Sequence, residues 1–590
     1  MSEITETVLT TSSTPTAEFS SYVSNKGFHF KLWRGERMVL LGFDVDEPEA
    51  DFVGFAIKVC PPNSETFSWL KNRIAFDYDK VEVTGDRQFD TNVAPLQRFR
   101  WIHFPWQPVE GVYRYQVTKM HMNSDGCLRE GITLENCIAL STVTYDKVVD
   151  IGFTRNFASS QAYREQFSNN ADIIPHNADD GLNFKLLDLK NSRGETVYDW
   201  LGFEAKALID NFIQEVLDNP DLHLDIMAYD LNLPDLVSKL VTVGQRLHAV
   251  IDNSSRKEDG VLHGHTAQDS SESIAAAKLT EAGAQVRRTD FKRLQHHKIL
   301  IQRNKQNQAV KVLCGSTNFS FRGLYIQANN VLVFNSEVVA ALFGQMFEAA
   351  FNEPEKFSNS PLSQEIFTIK QEDGSGPSIN ISFSPHKSAY LALKPLVEAI
   401  NTATSSVFYS VAFLYQMRNA PLKLALEGLP GKNIFSYGSV DKPGKLKVVK
   451  PDGSLAIADF EYLAKKAPEP FRTEWSGGSG INIHHKFVVT DFNLASAKVF
   501  TGSSNLSASG EKSNGDHLIM IEDQRIATAY VIEAIRIFDH LQFRHRMQDA
   551  TSPQVIKLLK PTAISGQPTW FTRFYEDGSS ANNDRLLFSH

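Results

Sequence analysis

The chain has 590 residues, 42% of them hydrophobic and 22% charged, with a net charge of -9 and four cysteines. That length accommodates three or four domains, each with its own core, and the composition is that of a soluble globular protein. The acidic balance argues against broad coating of nucleic acid, which needs a basic face. Cys60, Cys127, Cys137 and Cys314 are too few and too irregular for a disulfide framework or a zinc site, so a reducing compartment is expected.

In chain order, residues 1–20 are rich in Ser and Thr without an apolar stretch, and read as a flexible tail rather than a secretion signal. No later run reaches the roughly 18 apolar residues that span a bilayer. A cytoplasmic location with, at most, peripheral membrane contact is expected. Residues 21–147 hold short alternating runs at 27–33, 37–43, 52–59, 98–104 and 111–119, separated by turn formers, which predicts an antiparallel β-sandwich of fibronectin or immunoglobulin type. Residues 148–182 are polar and irregular and read as a linker.

The texture then changes to alternating helices and strands. A first α/β half is expected over 183–357, with helices at 203–217, 235–243, 271–282 and 337–351 and strands at 222–229 and 246–252. A second half over 358–547 repeats the order: helix 388–402, strand 406–413, helix 422–429, strands 481–489, 498–501 and 517–521, and helix 525–547. Residues 548–590, with Trp570, Phe571 and Phe574, are expected to pack back on the body.

Each half carries the same cluster. His296-His297-Lys298 is followed 17 residues after the lysine by Gly315-Ser316-Thr317-Asn318, and His484-His485-Lys486 is followed after 16 by Gly502-Ser503-Ser504-Asn505. The two first histidines lie 188 residues apart, and an internal duplication explains the spacing. Residues two apart in a strand share a face, so His296 pairs with Lys298 and His484 with Lys486, while His297 and His485 point away as bystanders. Imidazole, with an ordinary pKa near 6.5, serves as nucleophile or as acid. One histidine attacks phosphorus, and the other protonates the leaving alcohol and then activates water. Lys298 and Lys486 hold the non-bridging oxygens, Asn318 and Asn505 add amide donors, and Ser316 and Ser503 support the turn. No metal and no cofactor is required.

These motifs resemble those of the phospholipase D superfamily, which carries two H-x-K-x4-D elements, each followed by G-S-x-N. The second copy fits through His484, Lys486, Asp491, Gly502, Ser503 and Asn505. The first keeps His296, Lys298, Gly315, Ser316 and Asn318 but has Arg303 where the acid falls. The resemblance covers roughly residues 200–547 and implies that the missing acid matters for packing more than for chemistry. Aligning Asn329 with Asp516 places an amide opposite the carboxylate that orients an imidazole in the family. With Asp516 taken as the partner of His484, that histidine is the acid and His296 the nucleophile, in keeping with the family's usual order.

Other features receive plainer readings. His263 and His265 look like a metal pair but fall in a polar stretch, and read as a surface loop. Asp44, Asp46, Glu47, Glu49 and Asp51 could bind calcium but read as a solvated turn. Met227-Ala228-Tyr229 and Phe413-Leu414-Tyr415 read as core with a tip at the cleft, and Trp475 with Gly477-Gly478-Ser479-Gly480 as a loop or rim. The expected protein is therefore α/β, with two pseudo-symmetric phospholipase D-like halves preceded by a β-sandwich. It acts as a monomer because the halves complete one site, and it hydrolyses or transphosphatidylates a phospholipid through a phosphohistidine. A nuclease or DNA-end phosphodiesterase of the same superfamily, and an inactive binding scaffold, are the alternatives.

Overall fold

A computed structural model of the protein describes residues 4–9, 18–77, 88–105, 108–258, 261–371, 376–417, 420–442, 457–459, 482–549 and 557–590. It is a mixed α/β structure with several sheets. Two of these are four-stranded and antiparallel: Ser20–Asn25, Phe28–Arg34, Val39–Val45 and Arg100–His103 form one, and Leu128–Leu140, Gly111–Met122, Phe52–Cys60 and Ser68–Trp69 the other. Alternation along the strands sends Phe28, Phe30, Leu41 and Phe43 from the first and Phe55, Ile57, Tyr113 and Tyr115 from the second into one core. Trp570 and Phe574, from the chain's last segment, join that core, and Trp33 Nε1 donates to the Phe588 carbonyl at 2.8 Å.

A seven-stranded sheet follows the spatial order Val149–Phe153, Asn330–Phe334, Ala309–Gly315, Ile299–Arg303, His223–Ala228, Leu247–Asp252, Gln285–Thr289. The larger sheet contains Ser378–Ser384, Asn514–Glu522, Lys498–Gly502, Lys486–Thr490, Ser406–Val411, Phe435–Val440 and Ile457–Asp459, in that order. Numbered by chain position within each set of seven, both sheets read 1-7-6-5-2-3-4. Ile366–Gln371 and then Ile4–Leu9 extend the larger sheet beyond Ser378–Ser384. Both sheets feed one hydrophobic cluster, through Ile299, Ile301 and Phe334 on one side and Phe383, Phe487 and Ile519 on the other, with the helices Glu337–Asn352 and Gln524–Asp549 also contributing.

Three expectations are corrected. Residues 148–182 are not only a linker: Val149–Phe153 pairs antiparallel with Asn330–Phe334 as the edge of the seven-stranded sheet, because Val149, Ile151 and Phe153 each find a buried place there. Part of the tail at 1–20 is strand, Ile4–Leu9 lying parallel to Ile366–Gln371. The helix expected from 203 runs Val197–Asp218, with the Thr196 side chain accepting from Asp199 N at its start and a break at Phe203, where φ is 46°. The acidic run at 44–51 spends most of its charge in ion pairs: Asp44 with Arg585, Asp46 with His29, Glu49 with Lys119, and Asp51 with His121 and Arg129. Among the described residues no helix is long and apolar enough to cross a membrane.

Candidate active site

Each motif crosses to the other sheet just before its histidine. Leu294–Gln295 pairs in parallel with Asn514–Gly515, and His296 N donates to the Gly515 carbonyl at 2.9 Å. Reciprocally, Ile483 bridges Ala328, and His484 N donates to the Ala328 carbonyl at 3.1 Å. A buried aspartate anchors each crossing from within its own sheet: Asp252 Oδ1 accepts from Gln295 N at 2.6 Å, and Asp441 Oδ1 from Ile483 N at 3.0 Å. Both aspartates stand at the ends of strands that lie in parallel pairs, Asp252 closing Leu247–Asp252 and Asp441 directly following Phe435–Val440. That shared position is the signal a reading of the sequence could have used to find them.

The crossings decide which group orients each imidazole. His296 Nδ1 lies 2.7 Å from Asp516 Oδ1, and His484 Nδ1 lies 2.8 Å from Asn329 Oδ1. The expected pairing of Asp516 with His484 is overturned: the orienting group comes from the opposite sheet, because the polypeptide docks there one residue earlier. Ser503 Oγ donates to Asp516 Oδ1 and Ser316 Oγ to Asn329 Oδ1, each at 2.8 Å, so these serines hold the orienting groups rather than merely the turn. Asn329 Nδ2 donates to the Gly323 carbonyl at 2.8 Å, which fixes its oxygen toward His484. Facing acceptors, both Nδ1 atoms carry the proton, and both Nε2 atoms carry the lone pair.

Gly315 and Gly502 sit at φ 147° and 141°, and a Cβ at either would meet a carbonyl, of Asn330 or of His517, at 2.4 Å. These close approaches let Ser316 N and Ser503 N each bond across the sheet at 3.1 Å. Lys298 Nζ donates to the His296 carbonyl, and Lys486 Nζ lies 3.0 Å from His484 Nε2. His296 through Lys298 precede the strand Ile299–Arg303, and His484 and His485 precede Lys486–Thr490, so the histidines leave the sheet rather than lie in it. Among the described residues, the buried amide oxygens of Asn318 and Asn505 have no hydrogen-bond partner. Tyr229 and Phe413 stand edge-on to His296 and His484, with ring centroids 5.0 and 6.1 Å away.

Burial dominates the electrostatics. It holds both His296 and His484 well below the usual imidazole range, with Lys298 and Lys486 adding to the effect. Burial likewise lowers Lys298 to about 8, and it pushes Asp516 up to about 6 against the opposing pull of Lys298 and Ser503. Burial and then the Lys298 charge hold Lys486 well below its ordinary value.

The remaining motif residues take other roles. His297 stacks on His517 at 5.5 Å with rings 4° from parallel, and His485 lies 3.4 Å from Ser410 Oγ. Asp491 accepts from the backbone N–H groups of Thr404, Ser405 and Ser406 at 3.0, 2.7 and 3.1 Å. Arg303 instead pairs with fully buried Asp225 and with Glu348, away from the histidines. Trp475 and Gly477-Gly478-Ser479-Gly480 lie outside the described residues.

Sequence reading also missed a second group of titratable side chains beside Tyr229. His265 is not paired with exposed His263. Its Nδ1 is 2.8 Å from Asp252 Oδ2, and its Nε2 faces Asp230 and Glu272. Burial alone would lower it, but Asp230 and Asp252 outweigh that and push it up to about 10.

No family model matches the chain, and no curated protein matches it. Among solved structures it is similar to phosphatidylserine synthase of Haemophilus influenzae Rd KW20, with 11% identity over 65% of this chain and 90% of that one, at a TM-score of 0.39. It is also similar to polyphosphate kinase from Porphyromonas gingivalis, at 11% identity over 60% of this chain and 46% of that one, with a TM-score of 0.37. Nuc from Salmonella typhimurium, a phospholipase D family member, overlaps 24% of this chain and 87% of its own at 24% identity, with a TM-score of 0.20. In its paired motifs, brought together here by exchanged crossings, the chain resembles the phospholipase D superfamily.

Proposed function

We propose that the chain is a phosphodiester-cleaving enzyme of the phospholipase D type, acting on a phospholipid through a phosphohistidine. One observation carries the reading: two buried imidazoles, each fixed through Nδ1 by a group from the opposite sheet, keep a lone pair on Nε2, and the buried lysines of the same two motifs stand alongside, Lys486 Nζ at 3.0 Å from His484 Nε2 and Lys298 Nζ on the His296 carbonyl. The net charge of -9 favours a lipid over a nucleic acid.

His296 Nε2 attacks phosphorus and the P–O bond to the alcohol breaks. His484, protonated once the phosphate anion is bound, gives its proton to the leaving oxygen. His484 then takes a proton from water or an acceptor alcohol, whose oxygen displaces His296 and releases the phosphoryl product. A carboxylate beside the acid, the criterion applied to the sequence, would with the observed partners make His296 the acid; the charge each histidine carries in the transition state favours the opposite assignment. A nucleophile gains positive charge as its N–P bond forms, and the Asp516 carboxylate stabilises that charge. An acid must part with its proton, and the neutral Asn329 amide retains it less strongly than a carboxylate would. Lys298 and Lys486, with Asn318 and Asn505, bind the phosphoryl oxygens.

The repeated 1-7-6-5-2-3-4 strand order supports an internal duplication in which two pseudo-symmetric halves build one site within a monomer. The first half begins by Val149 rather than at 183. The two N-terminal sheets, sharing a core with Trp570, support a β-sandwich that the end of the chain staples to the body. Peripheral membrane contact and a cytoplasmic location belong to the same reading.

Purified full-length protein is to be incubated separately with mixed phospholipid vesicles and with single- and double-stranded oligonucleotides, alongside His296→Ala and His484→Ala. Head-group release abolished by both substitutions, and a phosphohistidine trapped on His296 by rapid quench, is the expected result. Oligonucleotide cleavage instead would replace the lipid with a nucleic acid, and silence on both panels would leave a binding scaffold.

A further inference from the structure

The group beside Tyr229 brings a histidine and two carboxylates together at the spacing of a metal site. Asp230 follows the strand His223–Ala228, His265 comes from the loop after Val261–His263, and Glu272 opens the helix Ser271–Glu281. One ligand atom from each lies within 4.8 Å of the others. His265 Nε2 stands 3.4 Å from Asp230 Oδ1 and 3.8 Å from Glu272 Oε2. Those separations are long for hydrogen bonds. They fall close to the edge of about 3.4 Å expected for a tetrahedron of ligands some 2.1 Å from a central zinc.

The surroundings match. Glu272 is 5% exposed; its Oε1 accepts from Leu231 N at 2.9 Å, while Oε2 faces His265 Nε2. The other ring nitrogen of His265 is held by fully buried Asp252, as the second nitrogen of a metal-bound histidine is characteristically held by a carboxylate. Asp252 is itself fixed by Gln295 N and by Ser254 N at 2.9 Å. Histidine plus two carboxylates is a three-ligand set that leaves one position of a tetrahedron open.

We propose that Asp230, His265 and Glu272 bind a zinc ion, with Asp252 orienting the histidine. Binding displaces the proton from His265 Nε2 and replaces an imidazolium among three carboxylates by a dication and a neutral ring. The ion lies behind Tyr229, whose ring centroid is 4.7 Å from that of His265 and 5.0 Å from that of His296. It therefore stiffens one wall of the histidine cleft without touching the reacting atoms. Asp252 joins the two sites, because its other oxygen anchors the residue before His296.

The test uses the full chain carrying Cys127→Ser and Cys137→Ser, which removes the two exposed thiols as competing ligands. After chelator treatment and gel filtration, zinc is titrated calorimetrically, and cobalt is added as a spectroscopic probe of tetrahedral coordination. One zinc per chain and visible cobalt d–d absorption are expected. Glu272→Gln and Asp230→Asn should weaken zinc at least about tenfold, and Asp252→Asn should weaken it about 10- to 100-fold. Absence of stoichiometric zinc in the parent chain overturns the site and leaves the ion-paired imidazolium. So does undiminished zinc in both ligand variants, each checked as folded by circular dichroism. None of these readouts depends on turnover, so a failure here is separable from a failure of the hydrolytic reading.

Discussion

The two motif regions are alike in strand order, in their exchanged crossings and in the serine behind each orienting group, yet they differ at two places. His296 is oriented by a carboxylate and His484 by an amide. Where the second region has Asp491 capping three backbone N–H groups, the first has Arg303 in an ion pair with Asp225. The first difference changes the charge beside each imidazole, and on the proposed mechanism it separates their chemical roles. The second changes only how a strand is secured, and two unrelated solutions serve.

The largest effect should come from the histidines themselves. His296→Ala should lower kcat by at least about 10^4-fold with any leaving group, because no covalent intermediate can form. His484→Ala should lose a similar factor on an alkyl alcohol but recover much of it on an aryl phosphodiester, whose leaving group needs no proton. Equal loss on both substrates would break the division of roles. Next, Asp516→Asn makes the two orienting groups alike and should cost about 10^2- to 10^4-fold in kcat. Asn329→Asp should cost only about tenfold, because a carboxylate raises the pKa of His484 and so weakens an acid that must release its proton. Steady-state kinetics on the two variants sharpen or erase the asymmetry.

The pH profile of kcat/KM tests the same asymmetry in the free protein. Asp516, raised to about 6, loses its charge as pH falls through that value, and Lys298, lowered to about 8, loses its charge as pH rises through that value. A bell between the two follows. Lys486, which burial and the Lys298 charge also hold low, shares the alkaline limb, so Lys298→Arg combined with Lys486→Arg should carry that limb upward and leave the acid limb in place, since guanidinium does not titrate in this range.

The securing devices should affect stability rather than chemistry. Arg303→Met leaves Asp225, which is fully buried, with only the His248 ring at 3.3 Å in place of the guanidinium and should cost about 3–5 kcal/mol, read as a lowered denaturation midpoint. Asp491→Ala removes the acceptor from three N–H groups and should cost about 1–3 kcal/mol, with kcat nearly unchanged. A loss of kcat exceeding the loss of folded protein in either variant would move that residue into the site.

Much of the α/β body was legible in the sequence. Helices expected at 235–243, 271–282 and 337–351 lie at Pro234–Val243, Ser271–Glu281 and Glu337–Asn352, because periodic apolar faces and capping serines are local signals. The edge strand Val149–Phe153 was missed because it is short, sits in a polar stretch and pairs with residues far along the chain. His265 was discounted for its polar loop, although its partners Asp230 and Glu272 arrive from separate segments.

By itself the sequence determined which side chains gather at the candidate site: the repeated His-x-Lys and Gly-Ser-x-Asn spacings place the same residue types there twice. Only the tertiary structure decided who orients whom. Asp516 and Asn329 are each closer in sequence to the histidine they do not serve, and the exchange arises because Gln295 pairs with Gly515 and Ile483 with Ala328 across the two sheets. Hydrogen bonding between strands from different sheets is a long-range choice, made by packing, and no local pattern records it.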